Sequence, residues 1–106
     1  MATRQASSLL SEAKVRECAQ ALEDWKVAPS GKSLTALYVM KDFVSAVALI
    51  GKIAEAAEAM DHHPDLRLFA YRRLELELST HSAGGLTEKD FTLAGIIERL
   101  PKSLKV

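Results

Sequence analysis

DFVSAVALIGKIAEAAEAMDHHPDLRLFAYRRLELELST, residues 42–80, contains the change of hydrophobic period on which the fold turns. From Asp42 to about Met60, the residues Phe43, Val47, Ile50, Ala54 and Ala57 recur on one helical stripe, with Lys52, Glu55 and Glu58 largely elsewhere. This spacing predicts a long central helix buried along that stripe. Pro64 disfavours the helical conformation at His63, so the helix is expected to end near there and give way to an extended segment. Further on the period falls to two: Leu74, Leu76 and Leu78 alternate with Glu75, Glu77 and Ser79. That alternation marks a strand with one apolar and one polar face. A preceding strand, Leu66 to Ala70, can pair with it through a tight turn near Tyr71-Arg72-Arg73. The adjacent histidines His62 and His63 thus sit at a helix-to-strand junction.

Working outward, Ser11 can cap an upstream helix whose apolar positions are Val15, Cys18, Ala19 and Leu22. Trp25 and Val27 follow. Pro29-Ser30-Gly31-Lys32 then supplies turn chemistry before the β-favouring run Ser33 to Met40, so a two-strand hairpin is expected. Downstream, Gly84 and Gly85 form a loop, and Thr87-Glu88-Lys89-Asp90 reads as a capping box. It opens a helix with Leu93, Ile96, Ile97 and Leu100 inside, which Pro101 should end or kink. The order is α-β-β-α-β-β-α. The fold class expected is α+β: a four-stranded, mostly antiparallel sheet with three helices packed on one face. One domain spanning 1–106 is expected, with residues 1–10 frayed, and no repeat beyond the rough strand-strand-helix duplication.

Of 106 residues 48% are hydrophobic, enough for one compact core. Lys and Arg number 14 and Asp and Glu 14, so no charge excess draws the chain to nucleic acid or an acidic membrane. No stretch approaches the roughly 20 apolar residues of a membrane span, so a soluble, cytoplasmic protein is expected. The one cysteine, Cys18, precludes an internal disulfide and is expected to pack as a small hydrophobe.

His62, His63 and His81 are all the histidines of the chain, and they fall within 20 residues. Imidazole titrates near neutrality and can donate or accept a proton, which suits general acid and base work. Each could instead cap a helix or fill a strand terminus. With Asp61 or Asp90 they are acceptable zinc or iron ligands, but adjacent histidines project in different directions and no His-x3-His pair is present, so no metal is expected. Asp90 alone reads as a helix-capping carboxylate. Glu58, four residues before His62, could orient that imidazole or could be an ordinary exposed glutamate. Trp25 is either core or a platform for a flat heterocycle.

The combined spacing is Glu58, three residues, His62-His63-Pro64, six residues, Tyr71, nine residues, His81, eight residues, Asp90. It resembles the signature of the pterin-4a-carbinolamine dehydratases, also known as dimerisation cofactor of a hepatocyte nuclear factor. Asp61-His62-His63-Pro64, Leu78-Ser79-Thr80-His81 and Gly85-Leu86-Thr87-Glu88-Lys89-Asp90 carry the likeness, with Trp25 and Lys41-Asp42-Phe43 upstream. It covers about residues 10 to 100. Pro64 to Tyr71 is one residue longer than in vertebrate members, and Leu66 and Leu68 stand where those carry bulky aromatics, which implies a differently shaped pocket wall.

The resemblance implies a hydro-lyase that removes water from 4a-hydroxytetrahydrobiopterin in tetrahydrobiopterin recycling. His62 and His81 would transfer protons, His63 would bind and orient the pterin, and Glu58 and Asp90 would support the imidazoles. Asp61, Ser79, Thr80 and Ser82 would offer hydrogen bonds to the ring edge, with Trp25 nearby. No cofactor is implied. A homodimer or homotetramer is, built through strand edges and central helices. The other role implied by the family is a non-catalytic oligomerising cofactor of a transcription factor, for which the small-residue face Ala54, Ala56, Ala57 and Ala59 would allow close helix packing.

Overall fold

Ser11 starts the first helix by accepting a hydrogen bond from the Lys14 amide at 3.2 Å. The computed structural model describes residues 8–106. Their elements are α1 (Glu12–Gln20), β1 (Lys26–Val27), β2 (Leu34–Val39), α2 (Phe43–Met60), β3 (Asp65–Phe69), β4 (Arg73–Leu78) and α3 (Glu88–Arg99), with a short 3₁₀ turn at His81–Ala83. This is the α-β-β-α-β-β-α order that the sequence predicts. The sheet runs β1-β2-β4-β3 and every neighbouring pair is antiparallel.

The register of the central pair explains the two-layer build. Leu34 lies opposite Leu78, Ala36 opposite Leu76 and Tyr38 opposite Leu74, and all six are buried. The alternate positions Thr35, Leu37, Glu75 and Glu77 lie on the other face, half-buried or exposed. Onto the apolar face pack Val15 of α1, Ala46, Leu49, Ile53 and Ala57 of α2, and Leu93, Ala94 and Ile97 of α3. Each such leucine or isoleucine contributes about 1.5–3 kcal/mol on removal from water. Pro101 acts as expected: α3 stops at Arg99, and Leu100 ahead of the proline is extended.

Three expectations need correction. The buried stripe of α2 is Ala46, Leu49, Ile53 and Ala57: Ala57 is buried as predicted, but the other three stand one residue before the predicted Val47, Ile50 and Ala54, and Phe43 (53% exposed) and Val47 (47%) face outward. The four alanines share no free face either, because Ala57 is buried, Ala56 half-buried, and Ala54 and Ala59 exposed. Helix α1 ends at Gln20, which leaves Leu22 in the following loop. The expected fraying of residues 1–10 falls mostly on 1–7, outside the described residues. Leu10, however, donates its amide to the Leu86 carbonyl at 2.9 Å, which ties the start of the chain to the approach to α3.

Asp42 caps α2, accepting from the Ser45 amide at 2.8 Å. Hydrogen bonds from Ser45 hold its carboxyl below the ordinary value of 3.8. A folded value below the unfolded one stabilises the fold fully above the ordinary range, and that stabilisation fades as pH falls through the folded value. In urea unfolding, the gap between wild type and Asp42→Ala is expected to narrow as pH is lowered from about 6 to about 2. A gap independent of pH would mean that the charge of Asp42 contributes nothing.

Candidate functional site

The site is set by how α2 ends. Asp61 adopts the left-handed conformation (φ 51°), which aspartate tolerates better than most residues. Its amide donates to Glu58 O at 3.2 Å and that of His62 to Ala57 O at 3.1 Å, the pair of bonds of a Schellman motif. The motif turns the chain sharply, so His62 and His63 leave the helix on different sides. His62 swings under α3 and is 9% exposed, whereas the His63 side chain stays largely in solvent.

This turn changes the expected pairing. Glu58 does not reach His62; its Oε2 lies 2.6 Å from His63 Nε2. Both partners are well exposed, and a pair of this kind is worth about 0–1 kcal/mol. The carboxylate beside His62 comes instead from α3: His62 Nε2 lies 2.6 Å from Asp90 Oδ1. Asp90 is fully buried. It is also the third residue of α3 and forms a reciprocal capping box with Thr87, whose amide donates to Asp90 Oδ2 at 3.0 Å. Capping and contact with the histidine therefore belong to one side chain.

Thr80 completes the buried cluster. Its hydroxyl donates to Asp90 Oδ2 at 2.8 Å and lies 2.8 Å from the Thr87 hydroxyl. Thr80 is aligned by a small loop closed by Thr80 N to Gly85 O at 2.9 Å, with Gly84 in a left-handed conformation (φ 78°) that favours glycine. His81 opens the 3₁₀ turn directly after Thr80 and is exposed. Ser79 directs its hydroxyl to the Lys32 carbonyl at 2.8 Å.

Asp61, His62, His63, Ser79, Thr80, His81, Ser82 and Lys89 line one open hollow of about 300 Å³. This volume is at the small end of ligand sites, which run from ~300 to ~1,000 Å³. All three histidines thus border the same space although β3 and β4 separate His81 from the other two in sequence. Asp90 stands behind His62, and Glu58 stands beside His63. Trp25 is elsewhere: it is 3% exposed in the hydrophobic core, with its indole N–H unpartnered among the described residues, and does not line the hollow. Leu66 and Leu68 are likewise absent from its lining; they pair with Leu76 and Leu74 on β4. Among the described residues no three His, Cys, Asp or Glu side chains are grouped to hold a metal ion. A hollow of about 480 Å³ between α1 and the β1–β2 turn is larger but has no histidine in its lining.

Two participants were not singled out from sequence. Lys89 brings a cation to the rim, and its signal was its place beside Asp90 in the first turn of α3. Thr87 was visible only as a helix cap.

Residues 8–100 match the family model described as Pterin 4 alpha carbinolamine dehydratase. The chain belongs to this family. It is 38% identical to a provisionally named pterin-4-alpha-carbinolamine dehydratase of Cyanothece sp., over 91% of this chain and 96% of the relative. A provisionally named family member from Acidobacterium capsulatum is 42% identical over 86% of this chain and 96% of its own. Among solved structures, a transcriptional coactivator/pterin dehydratase from Brucella melitensis superimposes with a TM-score of 0.78 at 34% identity, covering 83% of this chain and 93% of that one. A pterin dehydratase-like protein identified as a RuBisCO assembly factor in the alpha-carboxysome gives 0.62 at 17% identity, a likeness of fold alone. No helix of the described residues is long and apolar enough to cross a membrane.

Proposed function

We propose that the chain is a 4a-hydroxytetrahydropterin dehydratase working by histidine acid and base catalysis, with 4a-hydroxytetrahydrobiopterin as substrate and tetrahydrobiopterin recycling as its setting. The observation that carries this reading is that His62, His63 and His81 border one hollow. Membership of the family supports it.

The chemistry asks for little more than imidazoles. The substrate carries a hydroxyl on C4a, next to N5. One imidazolium protonates that hydroxyl, the C4a–O bond breaks, and water leaves as the N5 lone pair forms the C=N bond. A second imidazole removes a ring N–H proton to give the quinonoid dihydropterin. One proton is delivered and one taken back, so the step balances without an added reagent. His62 and His81 fill these two roles, and His63, held by Glu58, orients the ring. Asp61, Ser79, Thr80 and Ser82 offer backbone or side-chain hydrogen bonds to the ring edge, and Asp90 orients His62.

The direct test is to generate a 4a-hydroxytetrahydropterin and follow its absorbance as it decays. Purified protein is expected to accelerate the decay equally with and without a chelator. Decay at the buffer rate would end this reading.

Association into a dimer or tetramer is part of the same proposal. Support comes from Phe43, Val44 and Val47, large apolar side chains exposed in sequence on α2, and from β3 and β1 as sheet edges. The Brucella relative's description couples pterin dehydratase with transcriptional coactivator. For this chain such a coactivator role would use the same apolar strip of α2, and capture of a helical peptide by a catalytically silent protein would favour it.

A further inference from the structure

We infer that the Thr80 and Thr87 hydroxyls are positioning groups that fix which nitrogen of His62 exchanges protons with the ligand. The inference rests on the dehydratase reading for its kinetic part but not for its spectroscopic part.

The argument is an inventory of hydrogens. Asp90 Oδ2 takes the Thr87 amide hydrogen, which has no other acceptor in the capping box, and the Thr80 hydroxyl hydrogen. A threonine hydroxyl has one hydrogen to give. Since that of Thr80 goes to Asp90, the 2.8 Å contact between the two threonine hydroxyls is filled by Thr87 donating to Thr80. The chain of donors therefore runs one way, from Thr87 to Thr80 to Asp90. Hydrogen bonds aligned in this sense polarise one another and make the last donor stronger.

The far side of Asp90 is then decided. With Oδ2 occupied by two donors, the carboxylate is held as an acceptor at Oδ1 as well. The 2.6 Å contact to His62 Nε2 is accordingly an Nε2–H donating to Oδ1. Asp90 is fully buried and His62 nearly so, which leaves no water to compete at either atom. The neutral ring carries its hydrogen on Nε2, and Nδ1 is the nitrogen free to act. No group of the described residues bonds Nδ1, and His62 lines the hollow. His62 thus takes and returns the catalytic proton at Nδ1 while the Nε2 hydrogen stays on the ring. Glu58 cannot do the same for His63, because that pair is exposed and nothing among the described residues fixes the second carboxylate oxygen.

Nitrogen-15 NMR of the histidine side chains reads the tautomer directly, in the protein without ligand. Wild-type His62 is expected as the Nε2–H tautomer, and Asp90→Asn is expected to convert it to Nδ1–H. The amide oxygen would keep the Thr80 and Thr87 donors, while its NH₂ donates to Nε2. Thr80→Val removes the hydroxyl at nearly constant shape. It is expected to lower kcat by about tenfold with KM little changed, and to give His62 a mixture of tautomers. Thr80→Ser is expected to restore both readouts, and Thr87→Val to show a smaller change of the same kind. A wild-type Nδ1–H tautomer overturns the inference. So does a Thr80→Val protein with wild-type kcat and spectrum. Should Thr80→Val fail to fold, the wild-type and Asp90→Asn spectra still decide the assignment. Should the wild type lack dehydratase activity yet show the Nε2–H tautomer, the proposed function fails and the hydrogen arrangement stands.

Discussion

His62→Ala combined with His81→Ala is expected to lower dehydratase kcat/KM by about 10⁴ or more, each acid or base group being worth about 10² to 10⁴. The two residues flank the β3–β4 hairpin in sequence and meet at its open end. His62 is backed by a buried carboxylate, whereas His81 sits exposed on a 3₁₀ turn. The single substitutions should each cost nearly as much as the pair, because groups acting as a unit are not additive. His63→Ala should differ in kind, raising KM more than it lowers kcat, since on the proposed reading this largely exposed ring beside Glu58 would contribute binding and orientation. Stopped-flow rates at saturating substrate check this, with circular dichroism to verify the fold. A double variant that keeps a tenth of wild-type activity would remove histidine catalysis from consideration.

Asp90→Ala is expected to destabilise the fold by on the order of 3 kcal/mol, as when one partner of a buried polar pair is removed. The Thr80 hydroxyl and the Thr87 amide lose their acceptor, His62 Nε2 loses its partner, and α3 loses its capping box. Because His62 can be neutral, the full penalty of an orphaned buried charge does not apply, and this keeps the figure at the lower end. Asp90→Asn keeps an oxygen for the two threonine donors, so it should cost less stability than Ala. It should still lower kcat strongly, because the imidazole then presents the wrong nitrogen to the hollow. Urea unfolding and kcat measured on both variants separate the two effects. Equal loss of stability with unchanged kcat would make Asp90 a helix cap and nothing more.

Much of the architecture was legible because it rests on local chemistry. The alternation through Leu74, Leu76 and Leu78, the serine before α1, the capping box at Thr87 and the proline at 101 each dictate their element regardless of the rest of the chain. The orientation of α2 was not legible. Only Lys52, Glu55 and Glu58 among its 18 residues carry charge, so the series through Val47, Ile50 and Ala54 is as apolar as that through Ala46, Leu49 and Ile53. Contact with the sheet and α3 decides between them. The histidine cluster was visible as residue types, but its pairing was not. A helical spacing of four pointed from Glu58 to His62, but a left-handed Asp61 ends the helix just before that histidine. Read by itself, Asp90 is a cap; that it also supports an imidazole was implied only by the family resemblance, and which imidazole, 28 residues away, was not.

On the proposed dehydratase reading, that shared carboxylate joins durability and turnover in one place. Fraying the opening turn of α3 would release the aim of the His62 ring at the same moment, so warming should silence the enzyme locally before the sheet melts. Hydrogen exchange at the Thr87 and Asp90 amides should therefore track loss of activity, and selection for a faster or sturdier variant would have to leave this corner of the molecule alone.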